Sequence, residues 1–184
     1  MKIFVNPGHG GDDPGACGCG LRECDVALNI GKLVAKYLRD VGYDVKVYQF
    51  DGLYEICDAS NYWNADLFVS IHCNAGGGTG CETFYYESSS KGRKLAAAIQ
   101  NQLVKSLPLR DRGLKTKIGG GYDIVVTKYT DCPAVLVETA FIDRETDALL
   151  LRNRQDDFAK AIARGVTDYV ALSTPDVIDV PVDR

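Results

Sequence analysis

The chain has 184 residues, 46% of them hydrophobic, a net charge of −4 and seven cysteines. That length suits one globular domain, which buries on the order of 70% of its unfolded surface and needs no disulfide staples. An acidic chain with no basic, aromatic-laced stripe argues against nucleic acid as a partner, and no apolar run approaches the ~20 residues that span a bilayer.

In chain order, Ile3-Phe4-Val5 is a short apolar run stopped by the turn residues Asn6-Pro7-Gly8. No charged-then-apolar leader precedes it, so the expectation is a protein made in the cytoplasm without a signal peptide, its thiols reduced, with no membrane insertion. From Glu23 to Asp40 the residues Val26, Leu28, Ile30, Leu33, Val34, Tyr37 and Leu38, with Val41 just beyond, recur at helical spacing, and Gly42 closes that helix. Val45, Val47 and Tyr48 predict a strand, residues 53–63 a short helix, and Leu67-Phe68-Val69-Ser70-Ile71 a buried strand. Residues 74–80 form a glycine-rich loop. Thr83-Phe84-Tyr85-Tyr86 reads as a strand, 91–107 as a helix, and Ile124-Val125-Val126 as a further short strand. Ala134-Val135-Leu136-Val137 is a continuous apolar run of the kind parallel sheets bury. Residues 144–172 are helical, in two pieces around Asn153, and 173–184 read as a linker or disordered tail. The alternation predicts a single α/β domain over residues 1–172, a twisted, mostly parallel sheet with helices on both faces.

Open α/β sheets bind ligands beyond the carboxyl ends of their strands. The chain's two histidines both follow apolar strand runs: His9 after Val5-Asn6-Pro7-Gly8, and His72 directly after Ile71. Glu138 follows a third such run. Catalytic zinc takes three protein ligands and leaves one position for water, and His2Glu is one such set. Glu23, at the start of the long helix, is the best-placed third ligand, with Asp12, Asp13 and Asp25 as competitors. Its alternative role is a favourable charge near a helix N-terminus. Two neutral imidazoles and one carboxylate leave zinc about one net positive charge, enough to lower the pKa of water to roughly 7. A second carboxylate must then take the water's proton and pass it on. Glu138 suits that role, unless it is paired with Arg112 or Arg144.

Other chemistries fit less well. Cys73 neighbours His72, but adjacent strand residues point to opposite faces and cannot form a nucleophile–base pair. The glycine loops lack the lysine of a phosphate-binding P-loop. Cys17-x-Cys19 with Cys24 lacks the spacing and the second pair of a thiolate zinc site.

Four segments resemble the zinc-dependent N-acetylmuramoyl-L-alanine amidases of the Amidase_3 type. They are Val5-Asn6-Pro7-Gly8-His9-Gly10-Gly11-Asp12-Asp13-Pro14-Gly15-Ala16, Gly20-Leu21-Arg22-Glu23-Cys24-Asp25-Val26-Ala27-Leu28, Ala65-Asp66-Leu67-Phe68-Val69-Ser70-Ile71-His72-Cys73-Asn74-Ala75 and Pro133-Ala134-Val135-Leu136-Val137-Glu138-Thr139-Ala140-Phe141-Ile142. The resemblance implies one zinc ion on His9, Glu23 and His72, with Glu138 catalytic. It also implies hydrolysis of the amide between the lactyl group of N-acetylmuramic acid and L-alanine in peptidoglycan. The protein is expected to be a monomer that acts on the cell wall after release. A phage or prophage endolysin fits that setting. Asn74 and Arg112 are expected groove contacts. The chain departs from the family in lacking the arginine usual before the third motif, in Cys73 where alanine is common, and in Thr139-Ala140 after the glutamate. A wall-binding module without activity, or a peptidase cutting within the stem peptide, are the competing functions.

Overall fold

The computed structural model describes residues 1–173. In chain order it comprises β1 (Lys2–Pro7), β2 (Cys17–Gly18), β3 (Leu21–Arg22), α1 (Glu23–Asp40), β4 (Asp44–Val47), α2 (Leu53–Tyr62), β5 (Leu67–Asn74), β6 (Cys81–Tyr85), α3 (Ser90–Ser106), β7 (Asp111–Lys115), α4 (Val125–Lys128), β8 (Ala134–Phe141), α5 (Glu145–Asn153) and α6 (Gln155–Ser173). The tail expected from residue 173 lies outside the described residues except for Ser173, which ends α6.

The three apolar runs become the middle of one sheet, with strand order β4-β1-β5-β8-β6-β7. β4, β1, β5 and β8 are mutually parallel, β6 runs antiparallel to β8, and β7 is parallel to β6. This is the expected α/β domain with a mostly parallel sheet. Helices cover both faces. Ile3, Val5, Val69, Ile71, Val135 and Val137 pack with residues of α1, α3 and α6. Phe4, Phe68, Phe84 and Leu136 pack with Ile56 and Cys57 of α2 and Val126 of α4.

The second face positions the site, because it changes character row by row. Phe4, Phe68 and Ala134 lie side by side in register, and Asn6, Ser70, Leu136 and Phe84 form the next row. One residue pair further toward the carboxyl ends of β5 and β8, the row is His72, Glu138 and Glu82. The lower rows are closed by apolar packing; Phe4 and Phe68 stack with centroids 5.6 Å apart. Truncating fully buried Phe68 to Ala costs about 3–5 kcal/mol. In the middle row the Ser70 hydroxyl donates to Asn6 Oδ1 at 2.7 Å, and Asn6 donates to the Tyr48 carbonyl at 2.9 Å. That satisfied network marks the step from hydrocarbon to ionisable groups.

One expected strand is instead a helix. Ile124-Val125-Val126 reads as β from its branched residues, but α4 begins at Val125. The Thr127 hydroxyl donates to the Ile124 carbonyl at 3.0 Å, and Ile124 and Val126 pack against α2's Ile56 and Cys57. Tertiary packing outweighs a propensity that spans only ~1 kcal/mol. The edge strand β7 and the β2–β3 hairpin carry no apolar alternation and are visible only in the structure.

Candidate metal centre

Three strands and one helix place the site residues. His9 sits just past β1 with φ 59, a left-handed conformation uncommon for a side-chain-bearing residue. The turn beyond it is closed by reciprocal hydrogen bonds between Gly10 and Asp13. Gly8 and Gly15 line the approach because nothing larger fits. A Cβ at Gly8 would lie 2.3 Å from the His72 ring, and one at Gly15 2.5 Å from His9 and 2.7 Å from Glu23. Glu23 opens α1 directly after β3, at the open end of the β2–β3 hairpin, and His72 lies on β5.

Among the described residues, His9, Glu23 and His72 form a three-residue group whose ligand atoms lie within 4.8 Å of one another. His9 Nε2 is 3.0 Å from Glu23 Oε2, and His72 Nδ1 is 2.9 Å from Oε1. Backbone N–H groups of Ala16 and Cys73 donate to the same two oxygens at 2.8 and 3.0 Å. Burial would raise the pKa of Glu23, but the His72 and His9 contacts outweigh it and hold the carboxyl well below its usual range. The Glu23 carboxylate, helped by Asp13, raises His9 to about 9 against the cost of burial. The cluster thus favours positive charge among its three side chains, and two imidazoles with one carboxylate are the donor set of a divalent transition metal.

The remaining sequence expectations fall in distinct places. Asp13 does not join the cluster; its Oδ2 holds the other face of His9 through Nδ1 at 2.6 Å, while Oδ1 accepts the Gly15 N–H. Asp25 is exposed and 3.6 Å from Arg22, and Asp12 is also exposed. Cys73 points into the opposite core, where burial pushes its thiol far up, so it is no nucleophile for His72. The cysteines are free thiols.

Glu138 is next to His72 across the strand pair, and its Oε2 is buried with no hydrogen-bond partner among the described residues. Burial pushes its carboxyl up to about 7 against the pull of His72, with Glu23 and Glu82 adding to the rise. It is paired with neither Arg112 nor Arg144. Arg112 Nε lies 3.1 Å from Glu82 Oε2, an ion pair without hydrogen-bond alignment, and its guanidinium sits 4.9 Å over the Phe141 ring. Asn74 donates to Glu82 Oε1 at 2.6 Å. Glu82 has no signal in the sequence, since only the β6–β8 register sets it opposite Glu138.

A cavity of about 530 Å³ opens over this row. His9, Glu23, His72, Asn74 and Glu138 line one side; Phe50, Leu53, Ile124 and Val125 line the other. A few convergent polar groups against an apolar wall are the usual make-up of a small-molecule or peptide site.

A family model described as N-acetylmuramoyl-L-alanine amidase (Amidase_3) matches residues 3–168. The chain is 35% identical to the sporulation-specific N-acetylmuramoyl-L-alanine amidase of Bacillus subtilis (strain 168), over 90% of this chain and 65% of that protein. It is 38% identical to the endolysin of Bacillus phage SPP1, over 92% of this chain and 64% of that protein. The fold matches N-acetylmuramoyl-L-alanine amidase AmiC2 of Nostoc punctiforme with a TM-score of 0.85 and 33% identity, covering 93% of this chain and 97% of that one. The chain therefore spans just under two thirds of the length of the sporulation amidase and the endolysin.

Proposed function

The chain belongs to the N-acetylmuramoyl-L-alanine amidase family of the Amidase_3 type, and from that premise we propose that it hydrolyses the amide between the lactyl group of N-acetylmuramic acid and L-alanine in peptidoglycan. His9, Glu23 and His72 hold one zinc ion, and Glu138 is the general base. The observation that carries this reading is the convergence of three ligand side chains beside a buried carboxylate oxygen that no described residue hydrogen-bonds. Such an orphaned acceptor costs roughly 1–3 kcal/mol or more, a cost that makes sense where a substrate or water is to be met.

Zinc, when bound, supplies Lewis acidity that polarises a carbonyl and lowers the pKa of water from about 15.7 to roughly 7. The protein's own groups do the rest. Glu138 accepts a proton from the attacking water at its free oxygen and returns it to the departing amine nitrogen of L-alanine. Asp13 holds the His9 ring in orientation from the far side. Asn74 contacts the substrate at the groove wall, and Arg112 serves that wall at one remove, through Glu82. The apolar side of the cavity excludes water and receives the lactyl and alanine methyl groups. The setting is the cell wall, in the manner of an autolysin or of a phage or prophage lysin, and the working unit is a monomer. No described helix is long and apolar enough to cross a membrane.

Digestion of purified cell walls tests the reading. Mass spectrometry should find intact stem peptides with new L-alanine amino termini, a chelator should abolish their release, and zinc should restore it. Fragments cut within the stem peptide, or wall binding without any released product, would overturn it.

A further inference from the structure

The ionisable row continues past the residues the reaction uses. From His72 and Glu138 it passes to Glu82 on β6, the register partner of Glu138, and ends at Arg112 on β7. Two carboxylates directly opposite in an antiparallel pair repel, and a buried carboxylate is costly even when paired. The fold does not require this arrangement, since a threonine or valine suits such a strand position better. Glu82 is nonetheless buried and holds two groups: Asn74 Nδ2 at 2.6 Å and Arg112 Nε at 3.1 Å.

Arg112 is the notable prisoner. Its half-buried guanidinium is anchored between Glu82 and the Phe141 ring. Glu138 lies one strand beyond Glu82, so β7 and β8 are separated by two strand spacings, roughly 10 Å. An arginine side chain is long enough to cross toward that oxygen. A guanidinium forms strong, often bidentate bonds with any carboxylate it reaches, and a cation on Glu138 would occupy the atom that has to take the proton.

We infer that Glu82 is a positioning residue that captures Arg112 one strand short of Glu138, keeping the catalytic carboxylate free while fixing the Asn74 carboxamide on the groove wall. The inference rests on Glu138 acting as the general base of the proposed reaction. Removing the charge of Glu82 releases Arg112 to Glu138 and quenches the site, even though Gln at position 82 still accepts the Asn74 hydrogen bond. Removing Arg112 as well leaves nothing to do the quenching.

The test uses the zinc-loaded protein, Glu82→Gln and the double variant Glu82→Gln/Arg112→Gln, with crystal structures of each and kinetics on solubilised peptidoglycan. In Glu82→Gln the Arg112 guanidinium should be found on the Glu138 carboxylate, with kcat down by at least about 100-fold, the lower end of what general-base catalysis contributes, and KM little changed. The double variant should regain at least about tenfold of that loss, a coupling that independent structural damage does not produce. Arg112 remaining away from Glu138 in the Glu82→Gln crystal overturns the inference, as does a double variant no faster than the single. An inactive wild type would overturn the proposed reaction alone, and the crystallographic position of Arg112 still decides this one.

Discussion

Two glutamates within one cavity have been put to opposite uses by their surroundings. At the start of α1, Glu23 receives two imidazoles and two backbone N–H groups, and its carboxyl is held well below the usual range. Within β8, Glu138 has a buried oxygen with no partner among the described residues, and its carboxyl is pushed up to about 7. The first environment makes a permanent anion, suited to holding a cation. The second makes a group that exchanges a proton near neutral pH, which is what a general base requires. Identical side chains thus acquire distinct chemistry from hydrogen-bond supply and burial.

The sharpest way to break the contrast is to remove each carboxylate in turn. Glu23→Ala should reduce amidase release from cell walls to background, because the cluster loses its only carboxylate and its grip on the ion. Glu138→Gln should lower kcat by about 10²–10⁴-fold and leave the metal in place. Equal loss of metal in both variants would erase the distinction.

Stability of the metal-free protein offers a second handle, with the sign set by the raised carboxyl of Glu138. Its value rises from 4.5 in the unfolded chain to about 7 in the folded one, so the folded state binds the proton more tightly. That contribution is fully present below pH 4.5 and is lost as pH rises through 7, at most roughly 3 kcal/mol at about 1.36 kcal/mol per pKa unit. Denaturant titrations in chelator should therefore show Glu138→Gln gaining on the wild type between pH 4.5 and 8. A difference independent of pH would place Glu138 in an ordinary solvated environment.

The smallest expected effect belongs to Asp13, which touches the cluster only through the far nitrogen of His9. Asp13→Ala should weaken metal affinity by about 10–100-fold without abolishing it, measured by competition with a chromogenic chelator. Complete loss of binding would make Asp13 a ligand, one of the roles its position in the chain left open.

Much of this is legible in the sequence. Helix α1 occupies the residues its periodicity predicts, and the three apolar runs became the central parallel strands because long-range signals there are carried by local pattern. His72 and Glu138 stand out because they directly follow those runs, and His9 because only the turn Asn6-Pro7-Gly8 separates it from the first. Spacing alone could not choose Glu23 over Asp12, Asp13 or Asp25, since the hairpin that brings Glu23 back to His9 has no apolar signature. Glu82 and Arg112 were opaque for a related reason. Their meaning lies in the register of β6 against β8 and in the edge strand β7, Asp111-Arg112-Gly113-Leu114-Lys115, whose composition does not announce a strand.

The most direct measurement is elemental analysis of the purified wild type, His9→Ala and Glu138→Gln proteins after dialysis against trace zinc. One zinc ion per chain in the wild type and in Glu138→Gln, and almost none in His9→Ala, is the predicted result. Zinc retained in full by His9→Ala, or lost from Glu138→Gln, would contradict the assignment of His9, Glu23 and His72 as the metal's ligands and of Glu138 as the base beside it.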